Sequence, residues 1–144
     1  DQTNGEIRQN TILEGIKMKF IDPGFKGTNP GHYSAAVVSH GMLYVSGQLS
    51  INPDTREPCT GGIREHAALA LDNLDRILKA AGVRRDQVVF CRVYTPSNEY
   101  WGAINEVYRD FFGEHKPGRV VVSTTPLHFG CLVEIEAIAE LNEE

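Results

Sequence analysis

The sequence lacks the patterns that would tie it to a metal, a disulfide framework or a phosphate-binding loop. Its three cysteines, Cys59, Cys91 and Cys131, are an odd number without CxxC spacing, which disfavours disulfides and a zinc site. The five histidines show no i, i+4 or HxH pairing, and neither a GxSxG elbow nor a glycine-rich phosphate loop is present. We therefore expect no metal site, and we expect Cys91 and Cys131, which lie in apolar stretches, to be core residues.

Long apolar runs and clustered positive charge are also absent. No run approaches the roughly 18 apolar residues of a membrane span, and no secretory signal peptide is present, so a cytoplasmic protein without a membrane partner is expected. The net charge is −5, and the 14 lysines and arginines are scattered along the chain. Because affinity for nucleic acid comes mainly from clustered Lys and Arg, no nucleic-acid partner is expected.

The composition that is present fits one globular domain. Hydrophobic residues make up 41% and charged residues 23% of the 144 residues, which is ordinary for a chain that buries one core. Residues 1–16 are polar and weakly patterned, so we expect an N-terminal extension that is disordered or not native to the protein. Residues 17–144 are expected to form a single domain.

Hydrophobic periodicity predicts the element order β-ββ-α-β-α-ββ. Strands are predicted at residues 18–21, 34–39, 42–47, 87–94, 119–125 and 132–141, and helices at 63–81 and 97–112. Ser97 is the predicted N-cap of the second helix. That helix should bury one apolar stripe: Tyr100, Trp101, Ile104, Val107, Tyr108, Phe111 and Phe112. Two amphipathic helices above one sheet indicate an α+β sandwich of two layers, with both helices on one face of the sheet.

Two carboxylates interrupt the last apolar run. Because side chains alternate along a strand, Glu134, Glu136 and Ile138 share one face. The other face suits the core: Val133, Ile135, Ala137 and Ala139. An ionised group removed from water costs several kcal/mol unless it is paired. The glutamate face must therefore meet water, a partner charge, another subunit or a ligand, and a solvated outer face of an antiparallel sheet is the plain alternative.

Arg119 stands at the start of a β-branched run, directly after Lys116-Pro117-Gly118. If the strand phases hold, the outer face of the sheet carries Arg119 beside Glu134 and Glu136. That face also holds enough apolar residues to form a subunit interface. A guanidinium there suits bidentate capture of a carboxylate, and an ion pair with Glu134 or Glu136 is the alternative.

Gly47 ends the third predicted strand, within Ser46-Gly47-Gln48. A glycine in a strand permits the close approach of a ligand or another backbone. A β-bulge explains the same glycine equally well.

Five stretches in the same order resemble the Rid family, also called the YjgF/YER057c/UK114 family. They are Gly31-His32-Tyr33-Ser34, Tyr44-Val45-Ser46-Gly47-Gln48, Ala70-Leu71-Asp72-Asn73-Leu74, Asn105-Glu106-Val107-Tyr108 with Phe111-Phe112, and Gly118-Arg119 followed by residues 133–139. The resemblance runs from Phe20 to Leu141 and is more specific than any single motif. It implies a chorismate-mutase-like fold with one mixed sheet, and a homotrimer with ligand clefts between neighbouring subunits.

The resemblance also implies an activity: hydrolysis of reactive enamine or imine intermediates, such as 2-aminoacrylate and 2-iminobutanoate, to 2-oxo acids and ammonia. By position, Arg119 would bind the substrate carboxylate, and Glu134 would hold the attacking water or relay a proton. The residues that would shape the cleft are Tyr33, Ser46, Gly47 and Asn105. A protonated imine is already electrophilic, so orientation and one proton relay suffice without a metal or cofactor. An arginine near Glu134 should keep that carboxylate ionised against desolvation.

Departures from the family's pattern bear on the substrate rather than on the fold. His32 replaces a proline, Gly118 an alanine, and Val121 a cysteine or small polar residue. Thr125-Pro126-Leu127-His128 replaces the usual Leu-Pro-Lys/Gly connector. In that connector His128 either borders the cleft or is an exposed loop residue.

Three other functions are compatible with these residues. The same arginine would serve a binding module that senses a small carboxylate without turnover. An endoribonuclease or translation inhibitor, an activity long attached to the family's name, is disfavoured by the acidic charge and by the lack of a clustered His or Lys pair. The third is a relative that acts on an aminoacrylate from pyrimidine breakdown, since the sequence names neither the substrate nor the pathway.

Overall fold

A seven-stranded mixed sheet with two helices on one face forms the fold in the computed structural model, which describes residues 8–13 and 16–142. The main elements are β1 (Arg8–Leu13), β2 (Ile16–Ile21), β3 (Ala36–Ser39), β4 (Met42–Leu49), α1 (Ile63–Ala80), β5 (Val88–Thr95), α2 (Trp101–Phe112), β6 (Gly118–Ser123) and β7 (Glu134–Glu140). The strand order is β1-β2-β3-β4-β7-β5-β6. All neighbours are antiparallel except β5 and β6, which α2 connects. The expected two-layer α+β sandwich with a mixed sheet is confirmed.

Strand β1 is not among the expected elements, because its residues fall in the polar segment 1–16. Arg8–Leu13 pairs with β2 and forms one edge of the sheet. An edge strand can be held by backbone hydrogen bonds to one neighbour without apolar alternation, so hydrophobic periodicity could not identify it. Residues 1–7 of the expected extension lie outside the described residues.

Helix α1 follows its predicted bounds closely. Its buried apolar residues recur at spacings of three and four: Ala67, Ala70, Leu71, Leu74, Ile77 and Leu78. At the first turn, the Glu65 carboxylate accepts a hydrogen bond from the backbone N–H of Gly62 at 2.9 Å. Gly82 follows the helix with φ +74°, the left-handed conformation that ends many helices at a glycine.

Helix α2 begins later and buries less than its sequence predicts. The Ser97 hydroxyl accepts from the Glu99 N–H and caps a short 3₁₀ turn, after which α2 starts at Trp101. Ile104, Tyr108 and Phe112 are buried, but Trp101 is 44% exposed, so the prediction of a buried tryptophan is wrong. Trp101 stands at the first residue of α2, where its ring lies beside Arg119 instead of in the core. Neither α2 nor another helix within residues 8–13 and 16–142 has the length and apolarity of a membrane span.

The two faces of the β7 segment differ as the alternation predicts. Val133, Ile135, Ala137 and Ala139 are buried. Glu134, Glu136 and Ile138 lie half-buried on the other, outer face. Three large apolar side chains are exposed on the same outer face, across β4 and β6: Tyr44, Val120 and Val122. An outer face with that much apolar surface is typical of an interaction surface.

Arg119 does not lie on this outer face, and the expectation that it shares a face with Glu134 and Glu136 is wrong. In the parallel pairing of β5 and β6, Arg119 stands beside Cys91, which is fully buried on the helix side. The side chains of Val120 and Val122 consequently point outward, and that of Arg119 points toward α2. The pairing with β5 determines which side chains of β6 point outward. The run of valines does not reveal this, because it makes both faces of β6 apolar.

The close packing of Gly118 against the Phe90 ring leads to a prediction about stability. A Cβ at Gly118 would lie 2.6 Å from Cδ1 of the Phe90 ring on the neighbouring strand. We expect Gly118→Ala to lower the free energy of unfolding by about 1–3 kcal/mol through overpacking, as measured by urea unfolding. In a Phe90→Leu background the cost should be smaller. The matched control is Gly102→Ala in α2, where nothing lies within 4 Å and where alanine favours the helix; equal effects of both substitutions would contradict this reading.

Candidate active site

The first half of the site is the close approach of Glu134 to Gly47. Strand β4 is irregular between Val45 and Gln48 in its pairing with β7, and Gly47 lies at this bulge. A side chain at Gly47 would collide with the Glu134 carboxylate at Oε2. The β-bulge interpretation of the glycine is confirmed, whereas the group that approaches Gly47 closely is the side chain of Glu134 and not a ligand or another backbone.

The two glutamates of β7 have different surroundings. Glu136 accepts a hydrogen bond from the Tyr94 hydroxyl at 2.5 Å, and Arg92 lies 3.6 Å from its other oxygen. Glu134 forms no ion pair with any residue that the structure describes. Desolvation raises the pKa of Glu134, the charge of His128 lowers it, and the charge of Glu136 raises it. Glu134 is therefore the carboxylate left available for a ligand or water.

Within the chain, the charge of His128 lowers the pKa of Glu134. Within one chain Arg119 does not lie beside Glu134, because the two side chains point to opposite faces of the sheet, and the expectation that an arginine keeps Glu134 ionised stays a prediction. His128 instead acts on Glu134 from the connector before β7. His128 is exposed, as one of its two alternatives expects, and its charge still reaches Glu134. The next residue, Phe129, is exposed and has φ +61°, an uncommon conformation for an aromatic residue.

The loop before β3 is fixed to β4 next to Gly47. The Ser46 hydroxyl donates to the carbonyl of Ser34 at 2.7 Å, and the Ser46 N–H donates to the carbonyl of Ala35. The hydroxyl of Ser46 is thus engaged in fixing the loop, and it shapes the site indirectly. Tyr33, on the same loop, is exposed and accepts a hydrogen bond from Asn29 Nδ2 at 2.6 Å. Tyr33 and Gly47 line a cleft of about 810 Å³.

Two residues of this cleft were not identified from the sequence. Arg56 lines the cleft with φ +70°, and its guanidinium has no carboxylate partner among the described residues. Asn73 donates to the carbonyls of Leu49 and Ile51, and its Oδ1 is buried without a partner. The Asn52-Pro53-Asp54-Thr55 turn before Arg56 is visible in the sequence, but no pattern there predicts that Arg56 points into a cleft.

The second half of the site surrounds Arg119. Asn105 Oδ1 accepts a hydrogen bond from an Arg119 terminal nitrogen at 2.9 Å. The guanidinium carbon lies 4.8 Å from the centre of the Tyr108 ring and 5.4 Å from that of Trp101. No carboxylate of residues 8–13 or 16–142 pairs with Arg119, so the ion pair with Glu134 or Glu136 is not formed. An amide and two rings hold the guanidinium in place while leaving its charge uncompensated, which suits an anionic ligand.

The two half-sites do not meet within one chain. On β5, Glu134 of β7 pairs with Tyr94, and Arg119 of β6 pairs with Cys91. These two positions on β5 are three residues apart, which is roughly 10 Å along the strand. Strand β5 also lies between β6 and β7, so it separates Arg119 from Glu134 laterally. One side chain points outward and the other toward the helices. A small ligand bound to one chain therefore cannot contact both side chains.

Two of the three cysteines, Cys91 and Cys131, are not candidate nucleophiles. Cys91 is fully buried, and desolvation raises the pKa of its thiol to about 11. Burial also raises the pKa of Cys131. A thiol in such surroundings stays protonated and unreactive. Their prediction as core residues is confirmed, and no group of metal-ligating side chains occurs in the described part of the chain.

Comparisons with known proteins define the class first. The fold is that of solved α+β proteins of the chorismate-mutase-like type. The YjgF gene product of E. coli is 30% identical with a TM-score of 0.76, and the match covers 84% of this chain and 96% of that one. Yeast Mmf1 is 28% identical with a TM-score of 0.81, covering 87% and 99%. E. coli TdcF, solved with bound serine, is 31% identical with a TM-score of 0.77, covering 85% and 98%.

Sequence comparisons then give the family. A family model described as Endoribonuclease L-PSP matches residues 27–141. A 2-iminobutanoate/2-iminopropanoate deaminase of Rattus norvegicus is 39% identical over 127 residues, which cover 88% of this chain and 93% of that protein. A RutC family protein of Pyrococcus horikoshii is 39% identical over 109 residues, covering 76% and 86%. The chain belongs to the Endoribonuclease L-PSP family, which is the YjgF/Rid family that the sequence resembles.

Proposed function

We propose that this protein hydrolyses reactive 2-imino acids and their enamine tautomers to 2-oxo acids and ammonia. The observation that carries the proposal is the Arg119 guanidinium, which Asn105 and two aromatic rings hold in place while no described carboxylate neutralises it. A small carboxylate is the ligand that such a group binds well. Relatives named 2-iminobutanoate/2-iminopropanoate deaminase, at 36–39% identity, support this substrate class.

The proposal includes a homotrimer with clefts between subunits. Arg119 of one subunit and Glu134 of the next would border the same cleft, because they cannot meet within one chain. The apolar outer face of the sheet, with Tyr44, Val120 and Val122 exposed, is the surface that association would cover. Each cleft would then combine a cationic wall from β6 and α2 with an acidic wall from β4 and β7.

In this cleft the substrate carboxylate binds Arg119, which places the protonated imine carbon near Glu134 of the partner subunit. Glu134 accepts a hydrogen bond from a water molecule and directs its oxygen at that carbon. The C–O bond forms as the C=N π pair moves to nitrogen, and Glu134 takes the proton released by the water. Glu134 then returns a proton to nitrogen and accepts the proton of the new hydroxyl group as the C=O bond of the 2-oxo acid forms, the C–N bond breaks and ammonia leaves.

This role for Glu134 predicts an acid limb in the pH profile. The water must be oriented by a carboxylate, so kcat/KM should fall as the pH falls through the raised pKa of Glu134, at a pH above the usual 4.5 of a glutamate. The measurement is 2-oxo acid formation from 2-iminobutanoate and 2-aminoacrylate generated in the assay, between pH 4.5 and 8. Residual activity of Glu134→Gln should lack that limb; an unchanged limb in this variant would assign it to another group.

A panel of substrates tests the proposal as a whole. Imines with small, branched and aromatic side chains, together with the aminoacrylate expected from pyrimidine breakdown, would be compared with 2-oxo acid binding and with RNA cleavage. Turnover of at least one imine supports the proposal. Stoichiometric oxo acid binding without turnover would instead indicate a binding module. RNA cleavage that persists through purification and is lost in Arg119→Ala would indicate the endoribonuclease alternative.

A further inference from the structure

A buried imidazole in α1 connects this helix to the end of β4 and to the segment directly before Glu134. His66 of α1 is 3% exposed, and its Nδ1 lies 2.6 Å from the hydroxyl oxygen of Ser50, which is fully buried after β4. The backbone N–H of Leu132 donates to the same Nδ1 at 3.2 Å. The pair is not a nucleophile and its base, because a fully buried hydroxyl offers no access to a substrate.

The hydrogen bonds fix the tautomer of His66. A backbone N–H can only donate, so Nδ1 must be an acceptor and must carry no proton. The Ser50 hydroxyl, which can rotate, donates to the same lone pair. The ring proton is then on Nε2. His66 is therefore neutral while all of these bonds are present.

The bond from Leu132 to His66 acts close to the catalytic carboxylate. The Leu132 carbonyl accepts a hydrogen bond from the Thr95 hydroxyl at 2.8 Å, and the Val133 carbonyl accepts from the Ser50 N–H at 3.2 Å. Together with the bond to His66, these hydrogen bonds engage the Leu132 N–H and the carbonyls of both Leu132 and Val133. Glu134 follows directly, and the connector with His128 ends directly before, so a shift of Leu132 would move both.

We propose that His66 is a positioning residue: its neutral imidazole accepts the Leu132 N–H and thereby fixes the Glu134 carboxylate for its role in imine hydrolysis. The inference rests on the proposed function for its kinetic consequence, but the hydrogen bond and its effect on Glu134 exist independently of turnover. A misplacement of about 1 Å is enough to cost on the order of 100-fold in rate in oriented active sites.

Acid should release this bond. A proton on Nδ1 would turn the acceptor into a donor that faces the Leu132 N–H, so the bond would be lost. Burial lowers the pKa of His66, whereas the charge of Glu65 and the bond to Gly61 raise it. The other groups near the ring are uncharged at neutral pH: Ser50 and, through its contact with the Ser50 carbonyl, the Cys131 thiol. Release should therefore occur as the pH falls below the usual histidine range, and stability should decrease with it, because the unfolded chain binds that proton first.

Three variants of the full chain test the proposal. His66→Gln keeps an acceptor oxygen but does not titrate, His66→Leu removes the acceptor, and His40→Asn is the control at an exposed turn histidine with φ +51°. The readouts are hydrogen exchange of the Leu132 amide, the NMR titration of the Glu134 carboxyl, and kcat and KM between pH 4.5 and 8. Ser50→Ala serves as a second variant if His66→Leu does not fold, since it removes the neighbouring hydroxyl and leaves the Leu132 bond.

In the parent protein and His40→Asn, Leu132 exchange relative to the intrinsic rate should increase about 10-fold or more as His66 titrates, and in His66→Gln it should not. His66→Leu should exchange fast at all pH values, shift the Glu134 titration and lower kcat about 10-fold or more with KM little changed. Ser50→Ala should keep the pH-dependent Leu132 exchange. A folded His66→Leu with parental Leu132 exchange, or with parental kcat and Glu134 titration, would overturn the proposal. If the parent protein does not hydrolyse imines, the proposed function fails, and the exchange and titration data alone decide whether His66 positions Glu134.

Discussion

Replacement of Arg119 by alanine is expected to lower kcat/KM for imine hydrolysis by about 1,000-fold. The substitution removes the charge that binds the substrate carboxylate and also the orientation that this binding gives to the imine carbon. Steady-state assays on the best substrate of the panel provide the measurement. Arg119→Lys should recover only part of the loss, because an ammonium keeps the charge but not the planar pair of donors that Asn105 holds in place.

The matched control for Arg119→Ala is Arg109→Ala. Arg109 lies on α2, near Asn105, but its side chain is exposed. Its loss should change kcat/KM less than about 3-fold, since a surface charge contributes little at a cleft it does not line. Circular dichroism and mass measurements should show the same fold and assembly for both variants. A folded Arg119→Ala protein that retains imine hydrolysis would remove the main support for the proposed function.

The two faces of residues 133–139 could be predicted from the sequence to the level of single residues. The alternation in residues 133–139 identified the buried and outer positions correctly, because one face carries only small and aliphatic side chains and the other carries two glutamates. Strand β6 shows where this reasoning stops. Val120, Val121 and Val122 are apolar on both faces, so the period of two gives no phase, and only pairing with β5 decides where Arg119 points.

The candidate site was predictable in its residues but not in its arrangement. Resemblance identified Arg119, Glu134, Gly47 and Asn105, and the structure adds that Gly47 makes room for Glu134 and that Asn105 binds Arg119. The resemblance could not show that Arg119 and Glu134 lie on opposite faces of the sheet, because that depends on which side chains of each strand point outward. The role of His128 near Glu134 also required the path of the connector, in which Phe129 adopts an uncommon backbone conformation that no propensity predicts.

Mixing two inactive variants should restore activity, because each proposed cleft takes Arg119 and Glu134 from different chains. Glu134→Gln alone should lower kcat about 100-fold or more through loss of the proton relay. In trimers assembled at random from equal amounts of Arg119→Ala and Glu134→Gln chains, each cleft has four equally frequent neighbour orders, and only one of them combines the intact Arg119 of a Glu134→Gln chain with the intact Glu134 of an Arg119→Ala chain. About a quarter of all clefts should then contain both intact residues, and activity should recover to about a quarter of the parental value.

The experiment denatures the two variants together, refolds them, and measures imine hydrolysis and subunit composition by native mass spectrometry. The control mixes Arg119→Ala with the double variant Arg119→Ala/Glu134→Gln, which offers no intact arginine and should stay inactive. Recovery in the first mixture alone means that the two half-sites, which lie on opposite faces of one sheet, act together only across a subunit boundary. Absence of recovery in verified mixed assemblies would mean that the two residues do not share a cleft, and Glu134 would then have to act without the guanidinium that binds the substrate.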